Sequence, residues 1–276
     1  MPSPALRPPA VAGRFYPGRA ESLTRQLDEY LGNDAEKIDD ALGCVVPHAG
    51  YMYSGHVAGA VFGKLPKRKT YITLCPNHTG RGAPFAIMSS GEWLTPLGRA
   101  QVNPEMAKSL RQNCHLLMED SEAHEDEHSL EVQLPFLQRS VGDFSFVPIA
   151  IGSIGYSGLE SLGHSIAQAV KPAAGDTLVV ASSDMNHYEP DGLTREKDHK
   201  AIEKMLALDP PGLYEVVRRE DISMCGYGPA IVMLTAAKDL GAGHAQLIRY
   251  ATSADITGDR DAVVGYAGII VSLQAP

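Results

Sequence analysis

The sequence predicts an α/β protein with a largely parallel sheet flanked by helices on both faces. Apolar runs of strand length alternate with helical patterns of about 10 to 15 residues, as βαβ units do. Three of those runs end in polar, histidine-bearing loops: Cys44–Pro47 before His48, Tyr71–Cys75 before His78, and Leu178–Ala181 before Asp184 and His187. Loops at the carboxyl ends of strands line the ligand crevice of an open α/β sheet, so three separate stretches are expected to meet along one edge. Internal repeats, linkers and low-complexity segments are absent.

The elements follow in chain order. Residues 1–12, opening with the proline-rich lead Met1 to Pro4, read as an N-terminal arm; Arg14 to Pro17 form a turn and Glu21 to Tyr30 an amphipathic helix. Residues 32–41 read as loop and 43–46 as strand. A helix follows from Ser54 to Leu65, with Val57, Ala58, Val61, Phe62 and Leu65 on the helical period and Pro66 as its stop. A second strand covers 70–75. Residues 84–89 and 92–97 look extended, with a turn at Pro96-Leu97-Gly98. Asn103 caps a helix that has Pro104 at its first position and runs to Asn113. After the acidic run 121–128, Ser129 to Arg139 reads as a helix kinked at Pro135. Strand 144–151, helix 157–170 and strand 177–181 continue the alternation. Helices at 194–208, 211–219 and 228–240 and strands at 246–252 and 263–273 complete it.

The 276 residues, 44% apolar, suit one large domain with a full-sized core. A net charge of -9 disfavours a nucleic-acid surface, which needs a basic stripe. No signal-peptide pattern and no apolar run of about 18 residues is present, so a soluble, cytoplasmic protein with no membrane segment is expected. The cysteines at 44, 75, 114 and 225 form no CxxC pair and are expected to be reduced.

Taken singly, a histidine is weak evidence. His56, His115, His164, His199 and His244 lie in helices or near their ends and read as structural or surface residues. His48, His78 and His187 differ, because each follows an apolar strand and sits beside glycine, proline or asparagine, which permit tight backbone paths. Cys225, flanked by Gly226 and Gly228 ahead of a helix, is expected to feel the helix dipole, which favours the metal-binding thiolate. Cys44 and Cys75 read as core thiols. His124-Glu125-Asp126-Glu127-His128 satisfies H-E-x-x-H literally, but it lies in an acidic run without an apolar face or an evident third ligand. His128 and Glu131 are left in a supporting role. Tyr51, Tyr53 and Tyr188 are candidates for an aromatic wall.

Five separated motifs then become recognisable: Pro47-His48-Ala49-Gly50-Tyr51 with Ser54-Gly55; Pro76-Asn77-His78; Asp126 to Glu131 through Leu134-Pro135; Ser182-Ser183-Asp184 with His187-Tyr188; and Cys225-Gly226. In this order, and with Ala12 to Pro17 as an opening, the chain resembles the Memo family, whose bacterial and archaeal members are called AmmeMemoRadiSam system protein B. That family is similar in fold to class III extradiol dioxygenases. The resemblance implies a non-haem pocket in which His48, His78 and Cys225 bind the metal and Asp184 and His187 complete the site. A cysteine in place of the dioxygenase carboxylate makes the set softer. Fe(II) is the expected metal, and copper or zinc would also suit such ligands. The implied function is an iron oxidoreductase or dioxygenase-like protein acting on an unknown small or aromatic molecule, or a redox protein reducing O2, with a functional link to a radical-SAM protein. Two rival readings stand beside it. One is a zinc-dependent hydrolase using His124 and His128, and the other is a non-catalytic module that grips a peptide or partner in an inherited pocket.

Overall fold

The computed structural model describes residues 5–32 and 35–274; the lead Met1 to Pro4 and residues 33 and 34 of the first loop lie outside them. The arm carries β1 (Leu6–Arg7), and α1 (Ala20–Leu31) follows, burying Leu23 and Leu27. Next come β2 (Ala41–Val46), α2 (Tyr51–Phe62) and β3 (Thr70–Pro76). Three short strands, β4 (Phe85–Ile87), β5 (Glu92–Thr95) and β6 (Gly98–Val102), precede α3 (Pro104–Asn113), whose Asn103 cap accepts from the Met106 N–H at 3.0 Å. After β7 (Met118–Glu119) the acidic run holds two short helices, α4 (Glu122–Glu125) and α5 (His128–Glu131), followed by α6 (Leu134–Ser140). Then follow β8 (Ser145–Ile151), α7 (Tyr156–Val170), β9 (Thr177–Ser182), β10 (His187–Glu189), α8 (Asp191–Leu206), α9 (Pro210–Arg219), α10 (Tyr227–Asp239), β11 (His244–Thr252), α11 (Ala254–Thr257) and β12 (Val263–Ser272).

The expected fold class holds. Among the described residues the sheet has twelve strands, and its centre, β6-β8-β3-β9-β2, is parallel throughout. Strands β2, β3 and β9 are buried along their whole length, as parallel strands covered on both faces must be. Antiparallel pairs finish the sheet: β12 on β2, β11 and β10 on β12, and β5 on β6. Alternate side chains of the central strands feed two apolar layers. Val45, Ile72, Ile149 and Val179 pack against α7 and α10, while Cys44, Tyr71, Phe146 and Val180 pack against α1, α2 and α6.

One local expectation is corrected. The helix expected over 129–139 is broken at Val132 and Gln133 into α5 and α6, and Pro135 lies in the first turn of α6, where its missing N–H costs nothing, rather than kinking a helix interior. The arm joins the sheet: Leu6 and Arg7 pair in parallel with Glu92 and Trp93. The Arg7 guanidinium stacks 4.2 Å from the Trp93 ring and pairs with buried Glu131, which also accepts the Tyr16 hydroxyl (2.6 Å) and the N–H groups of Ala10 and Val11. Arg7 also donates to the carbonyls of His124 and Glu127, so the arm clamps the segment leading into α5.

Candidate metal centre

The loops after β2, β3 and β9 leave the same end of three neighbouring strands, and so His48, His78, Asp184 and His187 line one cavity of about 760 Å³. Cys225 reaches it from the turn before α10. A Cβ on Gly226 would sit 2.3 Å from the Ser182 carbonyl, so only glycine lets that turn approach the end of β9.

His48 is buried. Ser182 Oγ donates its one proton to the Ser129 carbonyl (2.7 Å) and accepts from Gln133 Nε2 (3.0 Å) and from His48 Nδ1 (2.8 Å), which fixes the proton of His48 on Nδ1. Burial, and the neighbouring imidazoles after it, hold this ring well below the usual histidine range, so Nε2 carries an unprotonated lone pair, which faces the Cys225 thiol. His78 donates Nδ1–H to Glu127 Oε1 (2.9 Å), and its backbone N–H donates to Oε2 (2.6 Å). Burial alone would raise the Glu127 carboxyl, but hydrogen bonds from His78 and Ser129 and the His78 charge outweigh it and hold it down to about 2. Burial likewise disfavours a charged His78, and Glu127 outweighs that too, raising its pKa. His128, at the start of α5, stacks on His78 with centroids 4.7 Å apart and turns Nδ1 toward the same Glu127 oxygen at 3.5 Å. Its pKa is lowered by burial.

One ligand nitrogen from each of His48, His78 and His128 lies within 4.8 Å of the others. A cation with bonds of about 2.1 Å wants such nitrogens about 3 to 3.4 Å apart, so side-chain shifts of about 1 Å close the site. The donor chemistry fits a metal, because each Nδ1 faces an oxygen and leaves Nε2 for the ion, with the oxygen partners fixing ring orientation as outer-shell groups do. Here the structure departs from the sequence reading. His128 stands in the cluster where only support was expected, and Cys225 is outside that three-residue group, its Sγ lying 3.2 Å from His48 Nε2 and 3.7 Å from the Asp184 carbonyl. The thiol also departs from expectation: burial, with the Asp184 charge behind it, pushes its pKa up, so the desolvation of the folded site outweighs the helix dipole.

Asp184 accepts the backbone N–H groups of His48 (2.7 Å) and Ala49 (3.3 Å), and its Oδ2 lies 4.0 Å from His48 Nε2. Burial outweighs those bonds and pushes its carboxyl up to about 7. His187 turns Nδ1 to the Ser223 carbonyl (2.9 Å), with its backbone N–H on Ser223 Oγ (2.7 Å); burial lowers its pKa, which leaves a neutral ring lining the cavity. Of the three tyrosines, Tyr53 and Tyr188 line the cavity with Phe15 and Tyr266. Tyr51 is buried and donates its hydroxyl to the Val132 carbonyl at 2.6 Å, so it belongs to the core.

The H-E-x-x-H reading fails. The His124 ring is fully buried edge-on to Trp93, with centroids 5.7 Å apart, and is no part of the metal-ligand group that holds His128. Burial and the nearby Arg7 charge lower its pKa to about 4.

A "MEMO1 family protein" of Methanosarcina barkeri is 45% identical over 96% of this chain and 100% of its own, and one of Pyrobaculum aerophilum is 44% identical over 96% and 98%. The crystal structure of an uncharacterized protein of Escherichia coli K12 covers 83% of this chain and 99% of its own at a TM-score of 0.59; at 13% identity it shows a shared fold alone. The profile described as "Memo-like protein" matches residues 7–270, and the chain belongs to the Memo family.

Proposed function

We propose that this protein is a mononuclear metal protein of oxidoreductase type, with iron(II) held by His48, His78 and His128 and with Cys225 as the adjacent soft ligand. The observation that carries this reading is the convergence of three imidazoles from three segments, with His48 and His78 hydrogen-bonded through Nδ1 and His128 Nδ1 turned to a carboxylate oxygen. Three nitrogens on one face leave coordination positions open, the arrangement by which non-haem iron activates oxygen; a thiolate beside them also suits copper or zinc.

The chain's own groups supply the rest. Glu127 orients His78, and Ser182 orients His48. His187 Nε2 can take a proton from a ligand in the cavity and return it. Asp184, with its pKa near 7, can hold a second proton beside His48. The cavity opens to solvent beside these groups and takes a small molecule of drug-like size. Cysteines 44, 75, 114 and 225 are all free, which suits a reducing cytoplasm, and no described helix is long and apolar enough to cross a membrane.

The test is anaerobic purification with metal content read by mass spectrometry, followed by oxygen-uptake assays of iron-loaded protein with small phenols and catechols. Bound iron with substrate-dependent uptake supports the proposal. Metal-free protein that takes none up from added iron overturns it and favours the partner-binding module.

A further inference from the structure

Among the described residues three non-glycine residues have positive φ: Tyr188 (60°), Leu208 (51°) and Asp221 (50°). Two have an ordinary cause. Leu208 follows α8 and Asp221 follows α9, at the position just past a helix end where the left-handed conformation closes the last turn; the N–H of Asp209 reaches the Lys204 carbonyl (3.0 Å) and that of Ile222 the Val217 carbonyl (2.9 Å), as that motif requires. Tyr188 ends no helix. It is the middle residue of β10, at an irregularity in the pairing of His187 and Glu189 with β12. A bulky side chain there is an outlier that persists only if something holds it.

The strain has a visible effect. In a regular strand successive side chains point to opposite faces, yet His187 and Tyr188 both line the cavity, with ring centroids 5.7 Å apart. The His187 side is held by Ser223, whose Oγ and carbonyl take its N–H and Nδ1. The bulge and the left-handed turn then bring the next ring round to the same side. Tyr188 is 78% exposed, the most exposed of the large apolar side chains among the described residues, so core packing does not account for the strain. Its ring stands free at the mouth of a cavity whose other walls include Phe15 and Tyr53.

We propose that Tyr188 is a specificity-determining residue, its backbone kept left-handed so that its ring closes on the face of a planar aromatic ligand whose polar end points toward His187. This deepens the proposed function by naming the class of molecule the cavity takes, and it does not depend on which metal is bound. Aromatic pairing selects for a π face over apolar area alone, so a flat ring should be preferred to a saturated one of the same carbon skeleton.

The test compares 2-naphthol with decahydro-2-naphthol by calorimetry on metal-stripped wild type, Tyr188→Phe and Tyr188→Gly, with thermal melts of each. The expected result is that wild type and Tyr188→Phe prefer naphthol, whereas Tyr188→Gly loses about tenfold in naphthol affinity, the scale of one aromatic pair, and no longer discriminates. Tyr188→Gly should melt no lower than wild type and up to about 4 °C higher, because glycine relieves the left-handed strain. Naphthol binding unchanged in Tyr188→Gly, no binding to wild type, or a melting point lowered by more than about 4 °C would overturn the assignment. Metal content of unstripped wild type, measured in parallel, separates failure of this inference from failure of the metal reading.

Discussion

The sulfur of Cys225 lies 3.2 Å from Nε2 of His48, a residue 177 positions earlier in the chain. Burial keeps that thiol protonated while His48 is neutral, so a cation that takes up the sulfur must displace a proton. Metal titration of wild type at pH 7 should therefore release about one proton more per ion than titration of Cys225→Ala. Equal release, by calorimetry in buffers of different ionisation enthalpy, would remove sulfur from the ligand set.

Glu131 is the anchor of the arm. Its carboxylate is fully buried and takes Arg7, the Tyr16 hydroxyl and the N–H groups of Ala10 and Val11. Glu131→Ala leaves the Arg7 charge buried without its partner, which costs about 3 to 5 kcal/mol. Urea unfolding should show that loss, and because Arg7 also grips the Glu127 carbonyl, metal affinity should weaken with it. A loss under about 1 kcal/mol would show that the arm contributes little.

Asp198 gives the protein a pH-dependent stability away from the cluster. Burial pushes its carboxyl up to about 7 although it accepts the Asn186 N–H (2.8 Å) and the Tyr250 hydroxyl (2.7 Å). The folded form thus holds a proton that the unfolded chain releases above about pH 4. Its contribution is fully present below that pH and is lost as pH rises to about 7, at about 1.4 kcal/mol per pH unit. Asp198→Asn should flatten that limb relative to wild type in melts from pH 4 to 8. Parallel curves would show that Asp198 ionises normally.

Much of the fold is legible in the sequence because its central strands are long and buried on both faces, which makes them continuous apolar runs. Strands β1 and β10 are not, since two or three residues carry no periodicity and their pairing depends on β5 and β12. The loops of His48, His78, Asp184 and His187 are readable from strand ends. His128 is read only as support for a physical reason: α5 is four residues long and lies in an acidic run, so little that is local shows how deeply Glu127 and Glu131 are buried. The signal available was Glu127-His128-Ser129 within the third family motif. The protonation of Cys225 is tertiary too, because the helix dipole can be read from Gly226 and α10 but the desolvating walls cannot.

His124 separates the cluster from the motif that overlaps it. Among the described residues neither ring nitrogen makes a well-formed hydrogen bond, the Ala86 backbone being its only polar influence of that kind, and the imidazole packs edge-on with Trp93. Replacing an unpaired buried polar ring by an apolar one of similar shape is nearly neutral, so His124→Phe should keep stability within about 1 kcal/mol of wild type. A much larger loss would reveal a polar role for this ring.

The most direct test of the central claim is the metal stoichiometry of four variants purified side by side under anaerobic conditions and read by mass spectrometry. His48→Ala, His78→Ala and His128→Ala should each lose most of the bound ion, while His124→Ala retains it. Undiminished metal in His128→Ala, or loss in His124→Ala alone, would contradict the cluster of His48, His78 and His128 as the metal centre.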